Sequence, residues 1–172
     1  IILDNVFVYN AGYGGSSAYG VYITGSDKIT LRNSTKVGSS KSYEFYANDA
    51  SNLKIQNSTF SGKNLALIEE SNGFLIENSV FKDTSSGDYG VYIKNTDSAT
   101  FRDNTVKNSA TDGGSDHGSI YLTGSSSNLI QNNTITNSGK SGIHLKSSSD
   151  DNKIYGNTVA SSYFSGLYVQ SS

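Results

Sequence analysis

Two short runs carry the groups best suited to chemistry. Lys82-Asp83-Thr84-Ser85-Ser86-Gly87-Asp88-Tyr89 and Thr111-Asp112-Gly113-Gly114-Ser115-Asp116-His117-Gly118 place four aspartates and an imidazole in two turns. If neighbouring segments bring those turns side by side, Asp83, Asp88, Asp112 and Asp116 crowd near His117. Crowded carboxylates raise one another's pKa or gather Ca2+, and an adjacent imidazole can act as a general base. The candidate catalytic set is therefore Asp112, Asp116 and His117, and the candidate Ca2+ ligands are the four aspartates. Asp and Gly are also ordinary turn residues. Plain turns and a site both stand as readings of these runs.

A second constellation is aromatic. Tyr22, Tyr92, Tyr121, His144 and Tyr168 each occupy the middle of a short apolar string, such as Gly90-Val91-Tyr92-Ile93 or Gly142-Ile143-His144-Leu145. In a strand, flanking apolar residues that point inward leave the middle residue pointing outward. The five rings then form a stripe on one wall, where they can stack against sugars. Against this stands the high strand propensity of Tyr and its good cross-strand pairing, which need no ligand.

Both constellations depend on what aligns the strings, and that is a repeat. Ile55-Gln56-Asn57-Ser58-Thr59-Phe60, Ile76-Glu77-Asn78-Ser79-Val80-Phe81, Phe101-Arg102-Asp103-Asn104-Thr105-Val106 and Ile130-Gln131-Asn132-Asn133-Thr134-Ile135 are copies of one unit, and Ile154 opens another. Leu3 and Leu31 open weaker copies. Successive opening residues lie 28, 24, 21, 25, 29 and 24 positions apart. A drifting period of this length predicts a solenoid, in which each unit buries its apolar face against its neighbours. Each unit reads as a first strand, an Asn corner, a second strand after Gly or Ser, and a polar return. No stretch has helical periodicity. The period also suits leucine-rich repeats, but the apolar sites favour Ile, Val and Phe over Leu.

The corner column Asn5, Asn33, Asn57, Asn78 and Asn132 reads as a structural amide ladder. Asn33, Asn57 and Asn132 also stand in Asn-x-Ser/Thr acceptor sequences. Glu69-Glu70 and Asp150-Asp151 read as solvated edges. Phosphate-cradling loops, Ser-His-Asp strings and zinc spacings are absent.

Composition sets outer bounds. A net charge of −2 over 172 residues offers no footprint for nucleic acid or an anionic membrane surface. The absence of Cys excludes disulfides, thiolate metal sites and thiol nucleophiles. There is no signal peptide and no apolar run of spanning length, so membrane insertion is not expected. With no Met, even at position 1, the chain reads as a processed product or an excerpt of a longer one. The absence of Pro suits uninterrupted strand pairing.

The Ile-x-Asn-Asn/Ser-Thr-Val/Phe unit followed by Gly-Val/Ile-Tyr-Ile resembles the repeat of the right-handed parallel β-helix family, the pectate-lyase-like superfamily. The resemblance implies an all-β fold, a single right-handed parallel β-helix (solenoid) domain of about seven coils over residues 1–172. At roughly 4.8 Å per coil, that is a rod segment some 30 Å long. Two functions follow as expectations. One is a secreted or cell-surface module that binds polysaccharide or builds an extracellular scaffold. The other is a polysaccharide lyase, glycoside hydrolase or epimerase using the Asp/His turns, although Lys82, Lys107 and Lys140 are the chain's nearest candidates for a lyase base. Short turns favour the module. Apolar ends without caps lead to the expectation of head-to-tail self-association, unless flanking segments cover them.

Overall fold

Leu3, Leu31, Ile55, Ile76, Phe101, Ile130 and Ile154, the residues that open the repeats, stand in one column, each paired in register with the next. The sequence period is therefore the circuit of the chain around a coil. The computed structural model describes residues 1–9, 18–37, 41–84, 87, 89–111 and 117–170. Within them the chain forms three sheets of seven parallel strands each. Six full circuits carry it from the first strand of a sheet to the last. No helix occurs among the described residues, and none is long and apolar enough to cross a membrane.

Each coil contributes three strands, where the sequence reading placed two. In the fifth coil these are Thr100–Arg102 in sheet A, Thr105–Ser109 in sheet B and Gly118–Thr123 in sheet C. The sheet B strands were hidden because they follow the Asn corner after a single residue. With only one inward side chain in their paired core, they show little of the alternation that marks a strand. Those inward side chains, including Phe60, Phe81, Val106 and Ile135, are buried and face the sheet A column. Phe45, Phe60, Phe81 and Phe101 form a continuous aromatic spine, with ring centroids 5.5, 5.1 and 5.7 Å apart. From the third coil to the sixth, stacked equivalents repeat the apolar filling of sheets A and B, so the core is a column along the axis.

The corners explain the Asn, Ser and Gly. Asn5, Asn33, Asn57, Asn78, Asp103 and Asn132 turn the chain from sheet A to sheet B with φ between 50° and 56°, and Gly156 does so at 68°. Asn and Asp tolerate this left-handed region better than other residues with a side chain. The Asp83, Asn108, Asn137 and Ser161 column has φ between 50° and 59° at the end of sheet B, just past the strand at Asp83 and at its next-to-last residue in the other three.

A second, buried ladder stands one residue after the outer Asn column, which keeps a long cross-coil contact of its own from Asn57 Nδ2 to Asn33 Oδ1 at 3.5 Å. Asn5, Asn33, Asn57, Asn78 and Asn132 are exposed, while Ser34, Ser58, Ser79, Asn104 and Asn133 are buried. Each backbone N–H in this second column donates to the side-chain oxygen of the next coil. Ser34 donates to Ser58 Oγ, Ser58 to Ser79 Oγ, Ser79 to Asn104 Oδ1, Asn104 to Asn133 Oδ1 and Asn133 to Asn157 Oδ1, at 2.9–3.3 Å. A corner buried without such partners would strand one donor per coil. A parallel ladder runs through Ser71, Thr96, Ser125 and Ser149 where sheet C returns to sheet A.

Candidate functional site

Sheet C carries the aromatic wall. Its register places Tyr22, Tyr46, Leu67, Tyr92, Tyr121, His144 and Tyr168 in one outward column, flanked by inward columns of Val, Ile, Leu, Phe and Ala. All five ring residues expected from sequence share it. Tyr46 is a sixth, missed because Tyr43-Glu44-Phe45-Tyr46 leaves its register ambiguous by one residue.

A flanking set of rings was also missed. Tyr19, Tyr43 and Tyr89 stand three residues before Tyr22, Tyr46 and Tyr92 and pack on them with centroids 5.2, 6.5 and 4.5 Å apart. The residue two before the column turns inward at the bend, so the residue three before it returns to the outer wall. At Gly90 a Cβ would lie 2.4 Å from the Ser119 carbonyl oxygen and 3.0 Å from Val106, so glycine is required there. The Tyr-x-x-Tyr spacing, present three times, was the available signal.

The rings face one another more than they face solvent. Tyr92–Tyr121, Tyr121–His144 and His144–Tyr168 follow at 4.9, 4.9 and 4.6 Å, and Tyr22–Tyr46 at 5.3 Å. Leu67 interrupts the column between the two stacks. Exposure is correspondingly uneven: Tyr22 is 54% and Tyr168 37% exposed, Tyr92 is half-buried, Tyr121 is 6% exposed and His144 fully buried. A coil spacing near 4.8 Å is close to a ring-stacking distance, so in-register rings cover one another's faces. What the wall offers a ligand is ring edges, phenol hydroxyls and the outer rings of each stack.

Beside the rings runs the column Thr24, Asn48, Glu69, Lys94, Thr123, Lys146 and Gln170. Glu69, expected at a solvated edge, is instead clamped in this wall. The Lys94 ammonium lies 2.5 Å from Glu69 Oε1, and the Tyr46 hydroxyl donates to Oε2 at 2.9 Å. Burial opposes ionisation of Glu69, but the Lys94 and Tyr46 donors hold its carboxyl below the usual range. Burial, reinforced by Glu69, pushes the Tyr46 phenol up to about 12. Burial, together with Tyr89 and Tyr121, raises the Tyr92 phenol well above its ordinary value.

The expected acidic turn is described only in part. Asp88, Asp112 and Asp116 lie outside the described residues. Asp83 is an exposed corner residue whose Oδ1 accepts from Asn108 Nδ2 at 2.7 Å and whose Oδ2 lies 3.7 Å from Lys82 Nζ. No group of three or more His, Cys, Asp or Glu residues fit to hold a metal occurs among the described residues. His117 is half-buried, with its ring edge-on to Tyr89 at 4.7 Å and to Tyr121 at 6.5 Å. It therefore belongs spatially to the aromatic wall.

The family profile described as "Right handed beta helix region" matches residues 1–159. The chain belongs to the right-handed β-helix family. Among solved structures, this β-helix is similar to the A-module of the mannuronan C-5 epimerase AlgE6 of Azotobacter vinelandii. The TM-score is 0.56 and the identity 11%, over 99% of this chain and 55% of that one. The A-module of AlgE4 from the same organism aligns at a TM-score of 0.44 and 12% identity, over 95% of this chain and 63% of that one. At such identities the likeness is one of fold, and the chain spans little more than half the length of the AlgE6 module. No curated protein sequence matches this β-helix.

Proposed function

We propose that this β-helix is a polysaccharide-binding module of an extracellular or cell-surface protein, and that it presents the outer face of sheet C to the glycan. The observation that carries this is the in-register wall of rings and hydrogen-bonding groups. Tyr22, Tyr46, Tyr92, Tyr121, His144 and Tyr168 are backed by the polar column from Thr24 to Gln170. Stacking fixes the rings before any ligand arrives, so little side-chain entropy is lost on binding. The fold is also shared with the A-module of a mannuronan C-5 epimerase, AlgE6. Glycan-array binding followed by titration calorimetry tests the reading. Tyr22→Ala with Tyr92→Ala, one ring from each stack, should weaken binding about tenfold or more, roughly one good aromatic contact. Undiminished binding by the folded double variant would remove sheet C as the contact face.

A second reading draws on the placement of His117 against Tyr89. Epimerisation at a carbon next to a carboxylate needs a base to remove a proton and an acid to return one on the other face. His117 would be the base, and the acid, which must act from the other face of the sugar, would come from outside the wall that His117 shares with Tyr92. Proton NMR of mannuronan and other uronate polymers after incubation tests it. Unchanged polymer at high protein concentration would exclude the reading for those substrates.

A further inference from the structure

The outer corner from sheet A to sheet B carries the three acceptor sequences Asn33-Ser34-Thr35, Asn57-Ser58-Thr59 and Asn132-Asn133-Thr134. The corner gives all three the same local form. The first Asn holds the left-handed bend with φ between 50° and 53°, the middle residue turns into the buried ladder, and the Thr opens the sheet B strand. With the middle residue turned inward, amide and hydroxyl stand on the same outer side of the corner. All three Asn residues are exposed.

The three differ in how far amide and hydroxyl are already engaged. Asn33 Nδ2 donates to Asp4 Oδ1 at 2.9 Å, and Asn57 Nδ2 reaches Asn33 Oδ1 at 3.5 Å. Asn132 Nδ2 donates to no group among the described residues. Its neighbour in the preceding coil is Asp103, whose carboxylate lies 3.8 Å from Arg102 Nε. Its neighbour in the following coil is Gly156, where an added Cβ would overlap Asn132 Oδ1. The Asn132 carboxamide thus lies with its oxygen over a corner that has no side chain, and no amide of that corner can tie it down. The hydroxyls differ in the same sense: Thr134 is exposed, whereas Thr35 and Thr59 are half-buried.

We infer that Asn132 is an N-glycosylation site, the one of the three acceptor sequences that the folded β-helix presents to an oligosaccharyltransferase carrying a lipid-linked oligosaccharide. In the transfer, Asn132 Nδ2 bonds to the anomeric carbon of the first sugar. The bond from that carbon to the lipid phosphate oxygen breaks, the lipid phosphate leaves, and Nδ2 gives up one proton to a base of the transferase. The enzyme must take hold of the amide and of the hydroxyl two residues on. An amide nitrogen that already donates has a bond to break before it can turn toward the donor sugar. Asn132 has none, and Thr134 is open to solvent. The corner joins sheets A and B, so a glycan there leaves the outer face of sheet C clear. The inference takes from the proposed function only the extracellular placement, and nothing from what sheet C binds.

Incubation of the folded full chain with a purified oligosaccharyltransferase and its lipid-linked oligosaccharide tests it, beside synthetic peptides spanning each of the three sequences. Intact mass and peptide mapping read the products. The expected result is a single glycan on the folded chain, at Asn132, with circular dichroism unchanged, while the peptides show no such preference. Thr134→Ala and Asn132→Gly should each abolish the transfer, and Thr35→Ala with Thr59→Ala should leave it intact; each variant is checked for an unchanged melting temperature. A folded chain modified at Asn33 or Asn57 as fast as at Asn132 would overturn the choice of site. A folded chain left unmodified while the Asn132 peptide reacts would show that the fold closes this corner, and would overturn the inference. So would failure of the Asn132 peptide itself. Polysaccharide binding by sheet C is measured on chain that carries no glycan, so none of these outcomes bears on that reading.

Discussion

The neighbours Asn132 and Asn133 give the sharpest test of how the corners work. Asn132 is exposed and holds the left-handed bend with φ 53°. Asn133 is 1% exposed and serves three coils at once. Its Oδ1 accepts from the Asn104 N–H at 3.0 Å, and its Nδ2 donates to the Phe101 carbonyl at 3.0 Å and to Asn157 Oδ1 at 2.9 Å. Replacing it with Ala strands a buried donor and a buried acceptor. Each stranded group costs about 1–3 kcal/mol, so Asn133→Ala should cost roughly 2–6 kcal/mol.

Asn133→Ser should cost less. Ser58 and Ser79 show that a hydroxyl in this column accepts from the preceding coil while donating to a carbonyl two residues back, at 2.9 Å in both cases. The reach to Phe101 and the Nδ2 donation to Asn157 would be lost, but Asn157 Oδ1 keeps the backbone N–H of residue 133, so the cost should be about 1–2 kcal/mol. Asn132→Ala loses only the tolerance of Asn for positive φ, about 1 kcal/mol, and Asn132→Gly should be close to neutral. Urea unfolding followed by circular dichroism, with midpoints converted at a common slope, measures all four. The reasoning is refuted if Asn132→Ala costs as much as Asn133→Ala, since that would place the ladder on the outer residue.

Three further outcomes follow from the same contacts. Tyr121→Ala, which removes a ring packed against Tyr89, Tyr92 and His144, should cost about 3–5 kcal/mol, whereas the half-exposed Tyr22→Ala should cost about 1 kcal/mol; thermal unfolding compares them. Gly90→Ala should cost about 1–3 kcal/mol or prevent folding, because its Cβ would lie 2.4 Å from the Ser119 carbonyl oxygen; soluble yield and melting temperature report it. Glu69 and Glu77 have folded pKa values below their unfolded ones. Their stabilisation is present above the ordinary carboxylate range and is lost as pH falls through the lowered values, so Glu69→Gln with Glu77→Gln should flatten the fall of melting temperature on the acid side of pH 4.5.

How much of this was legible depended on how each residue signals its place. The seven opening residues mark the coil because an inward position in a solenoid must be apolar in every turn, and that recurrence survives a drifting period. Sheet C was legible for the same reason, with two inward residues flanking each ring. Sheet B was not, since a single inward residue beside a corner has no period to display. The buried ladder beside the outer Asn column was missed because the outer corner and the buried position both favour Asn, the first for its left-handed backbone and the second for its side-chain oxygen. Serine separates them: Ser34, Ser58 and Ser79 can fill the buried position, while the outer position in the same coils keeps Asn. The acidic turns gave residue types without geometry, and Asp83 alone of the four aspartates can be followed to its partners.

The aromatic column shows how one geometry constrains both stability and binding. A parallel solenoid repeats each outward position at the interval at which rings stack, so a row of aromatics on its wall closes over itself. Closure stabilises the wall, as the burial of Tyr121 and His144 records, and it uses up the ring faces that a sugar would need. A ligand surface must therefore come from places where the repeat is broken. Leu67 breaks the column between Tyr46 and Tyr92, and Tyr22 and Tyr168 lie where a stack ends. Tyr163 stands off the column altogether, 77% exposed on the turn from sheet B into sheet C. The regular residues hold the wall in register, and the irregular ones leave ring faces uncovered.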